Sequence, residues 1–386
     1  METELRGVNL GGWLLMEGYI LGGRNIPEKK FKALFKRKYK EEDLEEFERL
    51  FRNSFIQEDD FARIKEMGAN CVRVPFHYRL LEEAPFRYTE EGFSYLKKAL
   101  RWAKKYNLKV ILDLHAACGS QNEDWHSDSV GFAYLWKKEV FRQRTYRLWE
   151  EIVSLFKDEE ALFGYDILNE PVTKDIKTLL GFYKELIGRI KAIDKEHIIF
   201  VEGNLWATEI DFLESLLEEK VYISIHFYQP LDFTFNFVPY LKYPGKIGNI
   251  LWNKDTLYQY ILKYYKFAQR NRAKIFVGEF GVNWRENFFG EGIYLEDLLD
   301  IFEEFGFDYT YWTYKTVKNY IYPDGLFQYL GNQRYVRRES PSSGWESYLE
   351  RWREEKYKIK RVWDTRNYTL IQGLYKILEK YFKRNR

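Results

Sequence analysis

Cysteine is nearly absent: Cys71 and Cys118 are the only two, and they form no CxxC or other zinc-type spacing, so neither a metal site nor a redox pair is built on them. Two buried free thiols are expected. An excess of charge of one sign is also missing, because 61 basic residues face 59 acidic ones and the net charge is +2. That balance excludes the electrostatic footprint of a nucleic-acid or anionic-membrane partner and favours a small neutral one. No stretch approaches the roughly 20 apolar residues of a membrane span. The chain opens Met1-Glu2-Thr3-Glu4 and turns strand-like by Gly7, leaving no room for a basic and then apolar leader. A cytoplasmic protein is expected, or a secreted one if a signal has been removed.

What is abundant is aromatic. Trp, Tyr and Phe number 12, 31 and 30 and make up 19% of the 386 residues. Most must fill a core, since rings bury large areas, and a few are available to stack on flat apolar faces such as those of sugar rings. Many Lys, Glu and Arg beside three Met and two Cys resemble the composition of proteins from hot environments, where surface ion-pair networks are common, so a thermostable protein is expected.

Short β-branched apolar runs recur, each followed by a turn and a longer segment of helical period, which is the pattern of βα units on a parallel sheet. The predicted strands are Gly7–Trp13, Asn70–Phe76, Lys109–His115, Leu162–Asn169, His197–Gly203, Val221–Tyr228, Lys274–Phe280 and Tyr309–Lys315. Between and after them lie helical candidates, among them Gln57–Met67, Glu139–Phe156, Asp175–Ile193, Lys254–Arg270 and Thr369–Phe382. Eight alternations predict an α/β fold, a closed (β/α)8 TIM barrel spanning 1–386 as one domain. Two stretches exceed the repeat: a charged helical insertion at 28–51 after the first strand, and 317–367 after the eighth, which includes the loop signature Pro341-Ser342-Ser343-Gly344. Because the second leaves a strand's C-terminal end, it is expected to wall or cover the mouth where barrel sites are built.

Side chains at those strand ends converge on one mouth. The second strand contributes Arg73, the third His115, the fourth Asn169 and Glu170, the sixth His226 and Tyr228, the seventh Glu279 and the eighth Trp312. His226 and Tyr228 are two apart on a strand and point the same way. Two carboxylates from strands on roughly opposite sides of one mouth suit glycoside hydrolysis, in which one protonates the leaving oxygen and the other attacks the anomeric carbon. The acid is expected to have a raised pKa and the nucleophile to stay ionised, with Arg73 and Tyr228 holding Glu279 charged. His115 and His226 lack the close spacing of a zinc motif, so no metal is expected. His126, with Asp128, is read as a sugar contact or a loop-ordering element, and His77 and His197 as structural. No cofactor is implied.

At these residues the sequence resembles glycoside hydrolase family 5, the cellulase-like retaining β-glycosidases. Leu168-Asn169-Glu170-Pro171 matches that family's acid/base motif, Val277-Gly278-Glu279-Phe280-Gly281 its nucleophile strand and Val72-Arg73-Val74-Pro75 its strand-two arginine. Asp113-Leu114-His115, His226-Phe227-Tyr228 and Tyr311-Trp312 match the remaining positions. The resemblance implies that Glu170 is the acid/base and Glu279 the nucleophile. It further implies that Asn169 bonds the sugar 2-hydroxyl, that His226 lies near Glu170, that His115 contacts the sugar and that Trp312 floors the subsite of the ring being cleaved. Gly7-Val8-Asn9-Leu10-Gly11-Gly12-Trp13 with Glu17, and Gly119-Ser120-Gln121-Asn122, resemble the exo-β-1,3-glucanase branch, where the glutamate at the position of Glu17 binds hydroxyls of the terminal sugar. The chain departs from that branch at Trp125-His126-Ser127, so a mannosidic or other β-linked substrate stays open.

The expected function is a retaining, exo-acting β-glycosidase on β-linked gluco- or manno-oligosaccharides, with Glu17, Asn122, Trp125, His126 and Trp312 binding substrate. Two alternatives stand beside it: an endo-β-glucanase, endo-β-mannanase or glycolipid glycosidase, and, from another class, a catalytically silent carbohydrate-binding barrel.

Overall fold

A computed structural model describes residues 4–217, 220–331 and 343–384. Eight parallel strands close in chain order: β1 (Arg6–Asn9), β2 (Cys71–His77), β3 (Lys109–Ala116), β4 (Leu162–Asp166), β5 (Ile198–Glu202), β6 (Val221–Phe227), β7 (Ile275–Phe280) and β8 (Asp308–Tyr311). Gly7 pairs with Thr310 on one side and with Cys71 on the other, which shuts the ring. A side chain at Gly7 would meet the Cys71 carbonyl oxygen at 2.0 Å, so only glycine admits this approach. Strands covered on the outside by helices and filled inside by side chains are buried on both faces. That is why these segments read as continuous apolar runs rather than alternating ones.

Ten longer helices are described: α1 (Glu28–Lys38), α2 (Glu41–Phe55), α3 (Glu58–Glu66), α4 (Glu90–Lys105), α5 (Glu139–Phe156), α6 (Ile176–Ile193), α7 (Lys254–Asn271), α8 (Glu291–Phe305), α9 (Gly344–Trp363) and α10 (Gln372–Phe382). The insertion after β1 is α1 and α2, which bury Phe31, Phe35, Leu44, Phe47, Phe51 and Phe55 at helical spacing.

The insertion after β8 departs from expectation. Its helix α9 buries Trp345, Tyr348, Trp352 and Trp363 against that same apolar stripe, with Phe31–Trp345 centroids at 4.1 Å and Phe51–Trp363 at 5.1 Å. Most of the described segment therefore forms an aromatic side core with α1 and α2, and only Tyr322 and Pro323 reach the mouth of the barrel. Its periodic Trp and Tyr marked a helix needing a partner, and the α1–α2 stripe offers more apolar area than an open cleft. Pro341 and Ser342 lie outside the described residues. Thr369-Leu370 is a short strand paired with Phe327-Gln328, so the last helix starts at Gln372. Cys71 and Cys118 are buried free thiols.

Candidate active site

Two local distortions aim the carboxylates. On β7 the pairing slips by one residue between Val277 and Glu279 against β6, and between Val277 and Phe280 against β8. Such a bulge re-aims the next side chain. Gly278 allows it, since a Cβ there would come within 2.8 Å of the Ser224 hydroxyl and 3.1 Å of His226. Thr310 and Asn9 hold the freed Gly278 carbonyl at 2.6 and 2.9 Å. After β4, Glu170 adopts φ +46°, left-handed backbone rare for a residue with a side chain. Its amide donates to Glu202 Oε2 at 2.6 Å. Strain of this kind gathers at functional sites.

Beneath the mouth a fully buried Arg73 gathers acids from four strands. Its Nε donates to Asp166 at 2.9 Å, Nη1 to Glu279 Oε1 at 2.8 Å, and Nη2 to Glu202 at 3.1 Å and to Asn169 Oδ1 at 2.8 Å, while Asp113 pairs with Nη2 as an ion at 3.1 Å. One guanidinium cannot balance four carboxylates. Burial and then the neighbouring Glu202 push Asp166 well above the usual carboxylate range, so the protonated form of Asp166 lowers the charge of the cluster. Asp113 was noted only within Asp113-Leu114-His115, and Asp166 and Glu202 escaped notice because single acids inside apolar strands carry no motif; their burial within strands was the available signal.

Glu279 also accepts from the Tyr228 hydroxyl at 2.8 Å. Arg73 and Tyr228 both reach Glu279 as expected, but Arg73 does so from the third position of β2, beneath the mouth, and not from the strand's end. Glu170 is gripped on both oxygens, by His226 Nδ1 at 2.7 Å on Oε1 and by His126 Nε2 at 3.0 Å on Oε2. The second contact was not foreseen, since His126 lies 44 residues before Glu170 on the loop after β3. Burial alone would raise the Glu170 carboxyl, but hydrogen bonds from His126 and His226 outweigh it and hold the group well below the usual range. This corrects the expectation of a raised value.

Asn122 is fully buried. It donates to the Glu170 carbonyl at 2.8 Å and accepts from the Asp124 amide at 2.9 Å, which fixes its amide orientation and leaves Nδ2 3.0 Å from His126 Nε2. It braces Glu170 and His126 and does not line the cavity. His126 and Asp128 do not act as a pair, because Asp128 turns to His77 at 3.2 Å.

The mouth opens into a cavity of about 760 Å³, within the usual size of a small-molecule site. Glu17, His115, Trp125, His126 and Trp312 line it with the two glutamates. His115 is held by Asp113 at 2.7 Å and stacks on Trp312 at 5.3 Å and 9°. Burial raises Glu17 to about 7. Glu17 Oε1 and Asn169 Nδ2 are buried without hydrogen-bond partners, as is fitting for groups that a ligand satisfies. Tyr19, Asp124, Leu205, Trp206, Phe235, Phe237, Tyr260, Tyr264 and Tyr322 line the cavity as well. Apart from Tyr260 and Tyr264, which lie within α7, they come from loops and short turns, where sequence pattern does not reveal direction. Ligand atoms of Glu170, His226 and Glu279 lie within 4.8 Å of one another, the geometric minimum for holding a cation, but His226 Nδ1 is already bonded to Glu170.

A closed parallel barrel with facing glutamates, in a cavity of charged and aromatic side chains at the strands' C-terminal ends, defines a glycosidase. A model of the cellulase family, glycosyl hydrolase family 5, matches residues 35–317, and the chain belongs to that family. It is 30% identical over 332 residues to a β-xylosidase of Phanerodontia chrysosporium, covering 82% of this chain and 68% of that one. Endoglucanase C of Acetivibrio thermocellus is 25% identical over 355 residues, with 83% and 94% covered. A crystallised glycoside hydrolase superposes with a TM-score of 0.67 over 98% of this chain and 99% of its own, at 19% identity.

Proposed function

We propose that this glycosidase removes single sugars from the non-reducing end of β-linked substrates with retention, Glu279 serving as nucleophile and Glu170 as acid/base. The observation carrying the exo reading is a cluster of three aromatics that lines the cavity together with Glu17. Tyr19, Trp125 and Tyr322, from the segments after β1, β3 and β8, contact one another at centroid distances of 5.9, 5.0 and 6.2 Å. On this reading the cluster blocks the path of a polymer and seats a terminal sugar, with Glu17 for its hydroxyls.

Retention is supported by the carboxylates. Oxygens of Glu170 and Glu279 approach within 4.8 Å, against roughly 5–5.5 Å between carboxyl groups for retaining enzymes and ~6.5–9.5 Å for inverting ones. Glu279, oriented by Arg73 and Tyr228, attacks the anomeric carbon while Glu170 gives its proton to the departing oxygen; water then enters, loses a proton to Glu170 and releases the sugar. Glu170 needs a proton for the first step, and its hydrogen-bonded histidines hold protons: the bond to Glu170 raises His126 to about 9 against the effect of burial. His126 Nε2 either donates to the carboxylate or, with the proton passed to Glu170, accepts from Asn122 or from the new acid.

The test is a panel of β-glucosides, β-mannosides and β-xylosides with matching oligosaccharides, products being separated by chromatography and anomers read by NMR. Single β-sugars from the non-reducing end, lost in Glu279→Ala, support the reading. A rapid fall in polymer viscosity would instead favour the endo mode carried in the name of the Acetivibrio relative.

A further inference from the structure

Glu170, after β4, and Glu279, on β7, divide the mouth in two. The half fed by β8, β1 and β3 sets the polar or charged Glu17, His115, Asp124 and His126 among the rings of Tyr19, Trp125, Trp312 and Tyr322. The half fed by β5, β6 and α7 is built differently: Leu205, Trp206, Leu231, Phe235, Phe237 and Tyr260 face the cavity there. Two hydroxyls of this wall are already committed, Thr208 donating to the Leu205 carbonyl at 2.7 Å and Tyr264 to the Thr208 carbonyl at 3.0 Å. The Lys263 ammonium rests over the Tyr264 ring at 4.5 Å. Beyond Gln229 and Lys263, a second sugar would find few partners for its hydroxyls on this side, which costs binding.

The wall is held in place against its own backbone preference. Leu205, Trp206 and Ala207 have φ of 50°, 55° and 58°, three successive left-handed residues with side chains. Trp206 Nε1 donates to Asp124 Oδ2 at 2.7 Å, tying the loop after β5 to the loop after β3 across the mouth. The result is to hold Leu205 and Trp206 out at 36% and 46% exposure, beside Phe237 at 47%. Beyond them Tyr260 packs on Trp252 at 4.8 Å, next to Leu251 at 60% exposure. Exposed apolar side chains gathered in the lining of one cavity point to what the cavity binds.

We propose that the leaving group this enzyme accepts is a hydrophobic alcohol, an alkyl or aryl aglycone lying along the Leu205–Trp206–Phe237 wall, rather than a second sugar. The inference rests on Glu170 as proton donor, since that places the leaving oxygen on the β5–β6 side. Hydrolysis adds water across the glycosidic bond, the sugar taking the hydroxyl at its anomeric carbon and the aglycone leaving as the protonated alcohol.

The experiment compares kcat/KM for methyl, butyl and octyl glycosides, the phenyl glycoside and the disaccharide of the same sugar, with alkyl glycosides below their micellar concentrations. Burial of a chain predicts a rise of roughly fourfold per methylene over the first carbons, octyl exceeding the disaccharide at least tenfold. A flat series with phenyl alone favoured would assign the wall to an aromatic ring. Trp206→Ala and Phe237→Ser should flatten the chain-length slope. A flat series with the disaccharide preferred overturns the proposal while leaving the catalytic reading intact. If every glycoside is inert and Glu279→Ala changes nothing, the catalytic reading fails instead. Quenching of tryptophan fluorescence by octyl against methyl glycoside then still reads the leaving-group preference, and equal affinities would overturn it.

Discussion

His126 Nε2 lies 3.0 Å from Glu170 Oε2, on the carboxylate oxygen opposite the one that His226 holds at 2.7 Å. Burial would raise Glu170, yet the two histidines lower it, so the proton of this cluster rests on imidazole until it is needed.

Replacing His126 should therefore release Glu170. In His126→Gln the carboxyl titrates at a higher pH than in the native chain, read from the protonated C=O band in isotope-edited infrared spectra and assigned by its loss in Glu170→Gln. An unmoved band would remove His126 from the proton inventory. Glu170→Gln itself should cost about 10²–10⁴ in kcat on alkyl glycosides and far less on substrates whose leaving group needs no proton.

Glu279→Ala should lower kcat by at least ~10³ if the carboxylate is the nucleophile. Azide, small enough for the space the side chain leaves, should restore turnover. Its product should be the α-glycosyl azide, because the anion attacks from the face that Glu279 occupied; NMR of that product is the check.

Glu17 ties substrate affinity to pH. Burial raises its carboxyl from 4.5 to about 7, and only the ionised form accepts hydrogen bonds at both oxygens. KM should fall as pH rises through 7, and the dependence should vanish in Glu17→Gln. Stability runs the other way. Between pH 4.5 and about 7 the folded chain keeps a proton that the unfolded chain has lost, so this contribution is complete below the lower value and lost as pH rises through the upper one. Thermal melts of the two proteins across that window read it.

Arg73 anchors both site and fold. Arg73→Met leaves Asp113, Asp166, Glu202 and Glu279 facing one another without their shared cation. Removing one partner of a buried ion pair costs about 3–5 kcal/mol, so urea unfolding should show a loss of at least that order. A loss under ~1 kcal/mol would mean that the acids neutralise one another by taking up protons.

The eight strands were legible because a parallel barrel buries both strand faces, and apolar runs of that length between helical periods have few other solutions. The same periodicity put Glu170, Glu279, His226 and Tyr228 near strand ends, and chain direction alone sends strand ends to one mouth; Arg73 lies deeper, at the third residue of β2. Up to that point local chemistry along the chain suffices. What only the tertiary structure decided is what non-local packing decides: that α9 folds onto α1 and α2 instead of over the cavity, that His126 reaches Glu170 while Asn122 stays beneath it, and that histidines lower the carboxyl which burial would raise. The bulge at Gly278 and the left-handed turn at Leu205–Ala207 belong there too. A pKa and a loop conformation are set by neighbours distant in sequence, and a one-dimensional pattern contains the residues but not their distances.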